Sequence, residues 1–139
     1  MKPLAGGIMM ITLLGLAALA SCSGSTPSFE DTTWVLTDYG PAGDLTPAVA
    51  DVEVTIYFHS EKYEISGSTG CNTYNGTYLL EGDHVTIKQV AVTERSCGQA
   101  LAAQEQQFLE ILRNAQQYTL AEDAFVLLDG TSELDFQKQ

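Results

Sequence analysis

Basic residues are scarce in this chain. Six lysines and arginines face 18 aspartates and glutamates over 139 residues, a formal charge of −12. A nucleic-acid binder needs a basic stripe to displace counterions from phosphates, so that class is excluded. The same deficit disfavours lying flat on anionic lipid head groups. The acidic residues are dispersed rather than blocked, which reads as a solvated surface. Histidine occurs only at His59 and His84, and cysteine only at Cys22, Cys71 and Cys97. The spacing of Cys71, Cys97, His59 and His84 matches no zinc pattern, so no metal is expected, and no cofactor either. Acid–base chemistry would draw on Glu61, Glu64, Glu94 or Glu105, but nothing in the sequence pairs two of them. No catalytic residues are assigned. Tryptophan occurs once, as Trp34 at the start of an apolar run, and its ring is expected to be buried.

What is present begins with the leader. After Met1 and Lys2, the chain from Leu4 to Ala20 is apolar or glycine, apart from Thr12. That length is at the lower bound of a membrane span, about 17 residues, and no basic cluster follows to stop transfer. Residues 1–21 therefore read as a secretory signal. Leu19-Ala20-Ser21-Cys22 resembles the lipobox of bacterial lipoproteins. The resemblance implies cleavage before Cys22, a diacylglyceryl thioether on its sulfur and a lipid anchor in the membrane. More than one acyl chain is needed for stable anchoring. Ser23, in place of an aspartate after the cysteine, implies the outer membrane, with the domain facing the periplasm. Loss of Lys2 with the leader leaves five basic residues against 18 acidic ones, a formal charge of −13. Residues 22–32 are small and polar in the main and read as a lipidated, flexible tether. Ten such residues reach at most about 35 Å.

The rest alternates. Thr33 to Thr37 is a first strand, and residues 38–50, with Gly40, Pro41, Gly43 and Pro47, read as loop. Val52, Val54, Ile56 and Phe58 alternate with polar or amphipathic neighbours, the mark of a half-buried strand. Tyr63 and Ile65 continue that alternation after a turn at 60–62. Thr77–Leu80 and His84–Lys88 flank Glu81-Gly82-Asp83 as a hairpin. Val90 and Val92 are out of phase with Val85 and Ile87, so a bulge is expected near Lys88-Gln89. Strands over 118–121, 125–129 and 133–137 close the chain. One helix is predicted over 99–117, with Leu101, Phe108, Ile111, Leu112 and Ala115 on its apolar stripe. Gln104, Glu105, Gln107, Glu110 and Gln116 form its polar face, and the stripe is expected to pack on the sheet.

With Cys22 lipidated, Cys71 and Cys97 are the thiols left. In an oxidising envelope an even pair reads as a disulfide. A zinc site or a catalytic Cys–His pair would use the same residues, and neither has a supporting signature. In the stretch Gly70-Cys71-Asn72-Thr73-Tyr74-Asn75-Gly76, the glycines mark positive φ or close backbone approach. Asn72 and Asn75 are suited to bonding the local backbone.

Gly67-Ser68-Thr69-Gly70-Cys71-Asn72-Thr73-Tyr74-Asn75-Gly76-Thr77-Tyr78 resembles the core motif of the META domain family, to which the heat-shock protein HslJ belongs. Trp34-Val35-Leu36, Thr93 to Cys97, Gln104-Glu105 with Phe108-Leu109, and the closing run around Asp129-Gly130 and Leu134-Asp135-Phe136 match it in order. The resemblance covers residues 33–138. It implies a mainly β (α+β) domain, a small antiparallel barrel-like sheet of about eight short strands with one helix packed on or capping it. It also implies an envelope location and a link to stress or antibiotic tolerance, and it supplies no catalytic residues. The expected function is a lipid-anchored, non-catalytic module that binds an envelope protein partner. The alternative is a barrel that carries a small ligand or lipid.

Overall fold

The computed structural model describes residues 27–139. The leader, the lipidation site Cys22 and the tether up to residue 26 lie outside the described residues.

Among the described residues there are nine strands, the longer ones built on period-two alternation of apolar residues. They are β1 (Thr33–Pro41), β2 (Thr46–Pro47), β3 (Thr55–His59), β4 (Glu64–Ser68), β5 (Thr73–Glu81), β6 (His84–Val92), β7 (Gln117–Leu120), β8 (Ala124–Leu128) and β9 (Ser132–Lys138). The helix α1 (Gln99–Asn114) lies between β6 and β7. Every pairing is antiparallel, and from β3 onward neighbours in the chain are neighbours in the sheet. β1 pairs with β3 on one side and with β9 on the other, so the sheet closes on itself. β2 is a two-residue annex beside the far end of β1. The mainly β, barrel-like antiparallel sheet with one helix expected from the sequence is the fold observed.

The ring is thinnest between β6 and β7. A single residue pair, His84↔Gln117, joins them, flanked by Val85 N–H donating to Gln116 O (3.0 Å) and Tyr118 N–H to Asp83 O (3.1 Å). Between these two strands the chain leaves the sheet as α1, which packs against β1, β6 and β9. Phe108, Leu109, Ile111 and Leu112 are its buried apolar face. Phe108 reaches Tyr74 and Phe136, with ring centroids 5.5 and 6.5 Å apart.

Side chains fill the interior. Ile56, Phe58, Ile65, Tyr78, Phe125, Leu127, Leu134 and Phe136 are all buried inward-facing strand residues. Their rings interlock: Phe58–Tyr78 at 5.1 Å edge-on and Phe125–Phe136 at 5.8 Å. Trp34 is 2% exposed and lies 5.4 Å from Phe125, as its place at the head of β1 led us to expect.

The largest correction concerns Phe29. The sequence places it in a flexible tether over 22–32, yet it is 3% exposed and belongs to the core. Its ring stacks on Phe125 at 4.7 Å and meets Phe58 and Tyr118 edge-on. The backbone around it is held as well. Trp34 Nε1–H donates to Phe29 O (2.8 Å), and Asp31 N–H donates to Phe58 O (2.8 Å). The polar neighbours Ser28, Glu30 and Asp31 hid one aromatic residue that the barrel end requires.

Smaller differences have local causes. β1 runs to Pro41 rather than Thr37, because β9 pairs along it as far as Ser132. A bulge at Thr37 shifts the register between Leu36 and Asp38. β3 starts at Thr55, although Val54 before it is still buried. Tyr63 does not continue the inward alternation. It sits in the β3–β4 turn at φ +54° and is 59% exposed. The bulge expected near Lys88-Gln89 is present: Thr77 pairs with Lys88 and Asn75 with Ala91, and Gln89 takes φ +55°. It returns Val90 and Val92 to the core side, where both are partly buried. The helix ends at Asn114, not 117, because Gln117 already pairs with Leu128. Gln104, expected on its polar face, is fully buried and accepts a bond from Val49 N–H at 2.7 Å.

Candidate functional site

Residues 67–78 form a strand–turn–strand built around side-chain bonds. β4 and β5 pair from Glu64↔Thr77 to Ser68↔Thr73, and the turn between them is residues 69–72. Gly67 lies opposite Tyr74. A Cβ on Gly67 would stand 2.0 Å from Thr55 O and 2.7 Å from Tyr74 Oη. The missing side chain is thus what lets Tyr74 lie across the strand and donate its hydroxyl to Thr55 O (2.8 Å). Burial pushes the pKa of that hydroxyl well up, so it stays a donor. Gly70 turns at φ +87°, and Gly76 faces the bulge, with Lys88 O 2.9 Å from where its Cβ would be.

Asn72 is the centre. It is 3% exposed. Its Nδ2 donates to both oxygens of Glu105 (3.1 and 2.9 Å) and to Arg95 O (3.3 Å). Its Oδ1 accepts from Arg95 N–H (2.7 Å) and Thr93 Oγ1–H (2.9 Å). Both amide hydrogens and both lone pairs are therefore engaged. Thr69 completes the turn: its N–H donates to Asn72 O and its Oγ1 accepts from Asn72 N–H, each at 2.8 Å. The Thr69 hydroxyl also donates to Glu105 Oε2 in a short bond. Thr93 Oγ1 in turn accepts from Thr73 N–H (3.1 Å). Three segments distant in sequence meet here: the 69–72 turn, the 93–95 stretch after β6, and α1. Cys71 and Cys97 cross the same gap as a disulfide, with Cα atoms 5.7 Å apart.

The motif residues expected from the sequence thus fall into connected roles. Gly67, Gly70, Tyr74 and Gly76 shape the two strands. Asn72, Thr93 and Glu105 form the polar hub, and Cys71 and Cys97 the covalent link. Trp34 and Phe108 are core. Tyr78 points to the other end of the barrel, where its hydroxyl donates to Glu30 in a short bond; burial and that carboxylate raise its pKa strongly. Sequence reasoning missed Thr69, Gln104 and the Glu30–Tyr78 pair. Thr69 stands one residue before Gly70 as a turn-capping residue type, and that was its available signal. Glu30 lies in the supposed tether.

The other candidates are not brought together. His59 Nε2 lies 2.9 Å from Ser66 Oγ, and His84 Nδ1 lies 2.8 Å from Asp83. Glu61 and Glu64 sit at the β3–β4 turn and the start of β4. Glu94 and Glu105 do line one surface cleft of about 400 Å³ beside Cys71 and Cys97. The carboxylate of Glu105 is already occupied by Asn72 and Thr69. At the opposite end Asp31 accepts from Ser60 N–H (3.2 Å) and Ser60 Oγ–H (2.5 Å), bonds that hold its carboxyl pKa low.

The META domain family model matches residues 27–139, which includes Phe29 and Glu30. Among solved structures, an NMR structure of a protein from Burkholderia xenovorans is similar at 19% identity, TM-score 0.70, over 89% of this chain and 99% of the other. A second NMR structure is similar at 25% identity, TM-score 0.61, over 76% and 87%. A crystal structure of a DUF4847 family protein from Bacteroides vulgatus is similar at 18% identity, TM-score 0.59, over 78% and 93%. No curated protein matches the chain.

Proposed function

The chain belongs to the META domain family, and on that premise we propose that it is a non-catalytic envelope module, tethered through lipid on Cys22, which presents a rigid barrel surface to an envelope protein partner. The observation that carries this reading is how the motif's polar groups are used. Asn72 has no unpaired donor or acceptor, and Glu105 and Thr93 are bonded to it. A site poised for chemistry keeps groups aimed at a substrate position; here they are aimed at one another. The packed interior argues against the alternative of a cargo-carrying barrel, because aromatic side chains occupy the space a ligand would need. The likeness to HslJ supports a role in stress or antibiotic tolerance. The lipobox and Ser23 support the periplasmic face of the outer membrane.

The test is purification from membranes after fatty-acid labelling, with Cys22→Ala alongside. Label on the wild type alone, with a stoichiometric protein partner lost when the barrel is unfolded, is the expected result. Equal label on both chains would sink the anchor. Co-purification of a small apolar ligand in place of a protein would favour the alternative.

A further inference from the structure

The disulfide and the Asn72 hub both tie the 69–72 turn to the chain that runs from β6 into α1, and the hub does so without either sulfur. Bonds from Asn72 to Arg95, Thr93 and Glu105 run from the turn to the 93–95 stretch and the helix. None of them passes through the sulfur–sulfur bond. Residues 96–98 are different. They are exposed, the disulfide is their one side-chain link to the rest of the domain among the described residues, and Gly98 leads into α1 at φ +90°. The helix begins with no side-chain cap and no acidic residue in its first turn. The two sulfurs also differ in access: Cys97 is exposed, whereas Cys71 is half-buried with Sγ 3.4 Å from Arg95 O. That carbonyl is placed to accept a hydrogen bond from a Cys71 thiol.

We propose that Cys97 is a site of reversible S-thiolation by a small aliphatic thiol. The thiolate attacks Sγ of Cys97 and forms a new sulfur–sulfur bond. The Cys71–Cys97 bond breaks, its electron pair passes to Cys71 Sγ, and that sulfur takes a proton from solvent and donates it in a hydrogen bond to Arg95 O. One disulfide is exchanged for another, so no separate oxidant is consumed. Attack by Cys71 on the mixed disulfide reverses the step. The opening is local: residues 96 and 97 come loose, while Gly98 O still accepts from Ala102 N–H (3.0 Å) and the hub holds the 69–72 turn to the helix.

The experiment uses the full chain carrying Cys22→Ala, so that only Cys71 and Cys97 respond, with reduced glutathione as the probe. Native protein is incubated and alkylated, then mapped by mass spectrometry while tryptophan fluorescence and circular dichroism follow the fold. One glutathione on Cys97, an alkylated Cys71 and an unchanged fold are expected. As a second measurement, free Cys97 in a Cys71→Ser chain should react with maleimide about tenfold faster than free Cys71 in a Cys97→Ser chain. Exchange that occurs only in denaturant overturns the proposal, as do glutathione on Cys71, loss of the fold on exchange, or equal maleimide rates.

Discussion

A single amide side chain holds the corner. Replacing Asn72 with aspartate keeps its shape and its Oδ1 acceptor but turns the Nδ2 donor into an oxygen facing the Glu105 carboxylate. Two like charges at hydrogen-bond distance repel strongly in a site this poorly solvated, where Asn72 is buried and Glu105 half-buried. Asn72→Asp should therefore cost about 3 kcal/mol or more at neutral pH, read as a shifted urea midpoint. Adding Glu105→Gln supplies a donor where the acceptor was, and should recover most of that loss. No recovery in the double variant would mean that the hub is not an Asn72–Glu105 unit. Asp135 offers a prediction of opposite sign. It faces Asp38 across the β1–β9 pairing, and its Oδ1 is buried with no partner among the described residues. Burial first, then Glu133 and Asp38, raise its carboxyl pKa above the ordinary 3.8. The folded state thus binds this proton more tightly than the unfolded chain, and stability from this group is lost as pH rises through the raised value. Asp135→Asn should stabilise the protein at pH 7, and the gain should vanish below about pH 4, where the carboxyl is protonated in both states. Thermal melts of the two chains from pH 3 to pH 8 measure it.

At the scale of elements, legibility followed periodicity. The alternations in β3, β6 and β8 and the stripe of α1 are physical consequences of one-sided burial, so they could be read directly. The phase break at Val90 even located the bulge at Gln89. Extent was harder to read. β1 carries Gly40 and Pro41, residues that mark loops in isolation, yet its last residues are held by β9, a partner far along the chain. Gln104 looked like surface because its chemistry is polar, and only the approach of Val49 N–H explains its burial. The motif glycines belong to this scale too. Gly67→Ala would drive a Cβ against Thr55 O, a backbone atom that cannot swing aside. It should cost about 1–3 kcal/mol, as overpacking with backbone displacement does. Tyr74→Phe removes the other close atom but not that carbonyl, so combining the two should not restore stability. Chemical denaturation of the three variants separates the outcomes.

For the whole molecule, the barrel depends on what enters its ends. Strand pairing was legible from the sequence, but the contribution of Phe29 was not, because a lone aromatic among serine, proline and acidic residues has no period. The polar hub was half legible. Asn72 and Glu105 could be marked by type and resemblance, but their meeting depends on where the helix falls against the β4–β5 turn. Phe29→Ala should destabilise by about 3–5 kcal/mol, the usual loss for a buried phenylalanine, and should redden the emission of Trp34, whose indole donates to Phe29 O. A chain that starts at Thr33 should lose at least as much, read in thermal melts against one that starts at residue 27.

The seating of Phe29 also gives the protein a mechanical character. Tension applied to the amino-terminal end reaches residues 28–31 first, where Asp31 and Ser60, Glu30 and Tyr78, and one ring in the barrel end share the load. Beyond them lies β1, gripped along its length by β9 and at its start by β3. A pull along that strand that is resisted at the far side of the barrel loads its many cross-strand bonds in parallel, whereas the short strap yields a bond or two at a time. The strap is therefore the fuse of the structure. Under such a pull, Phe29 is expected to leave its seat before the barrel tears, and the first rupture should expose an apolar socket formed by Phe58, Tyr118 and Phe125.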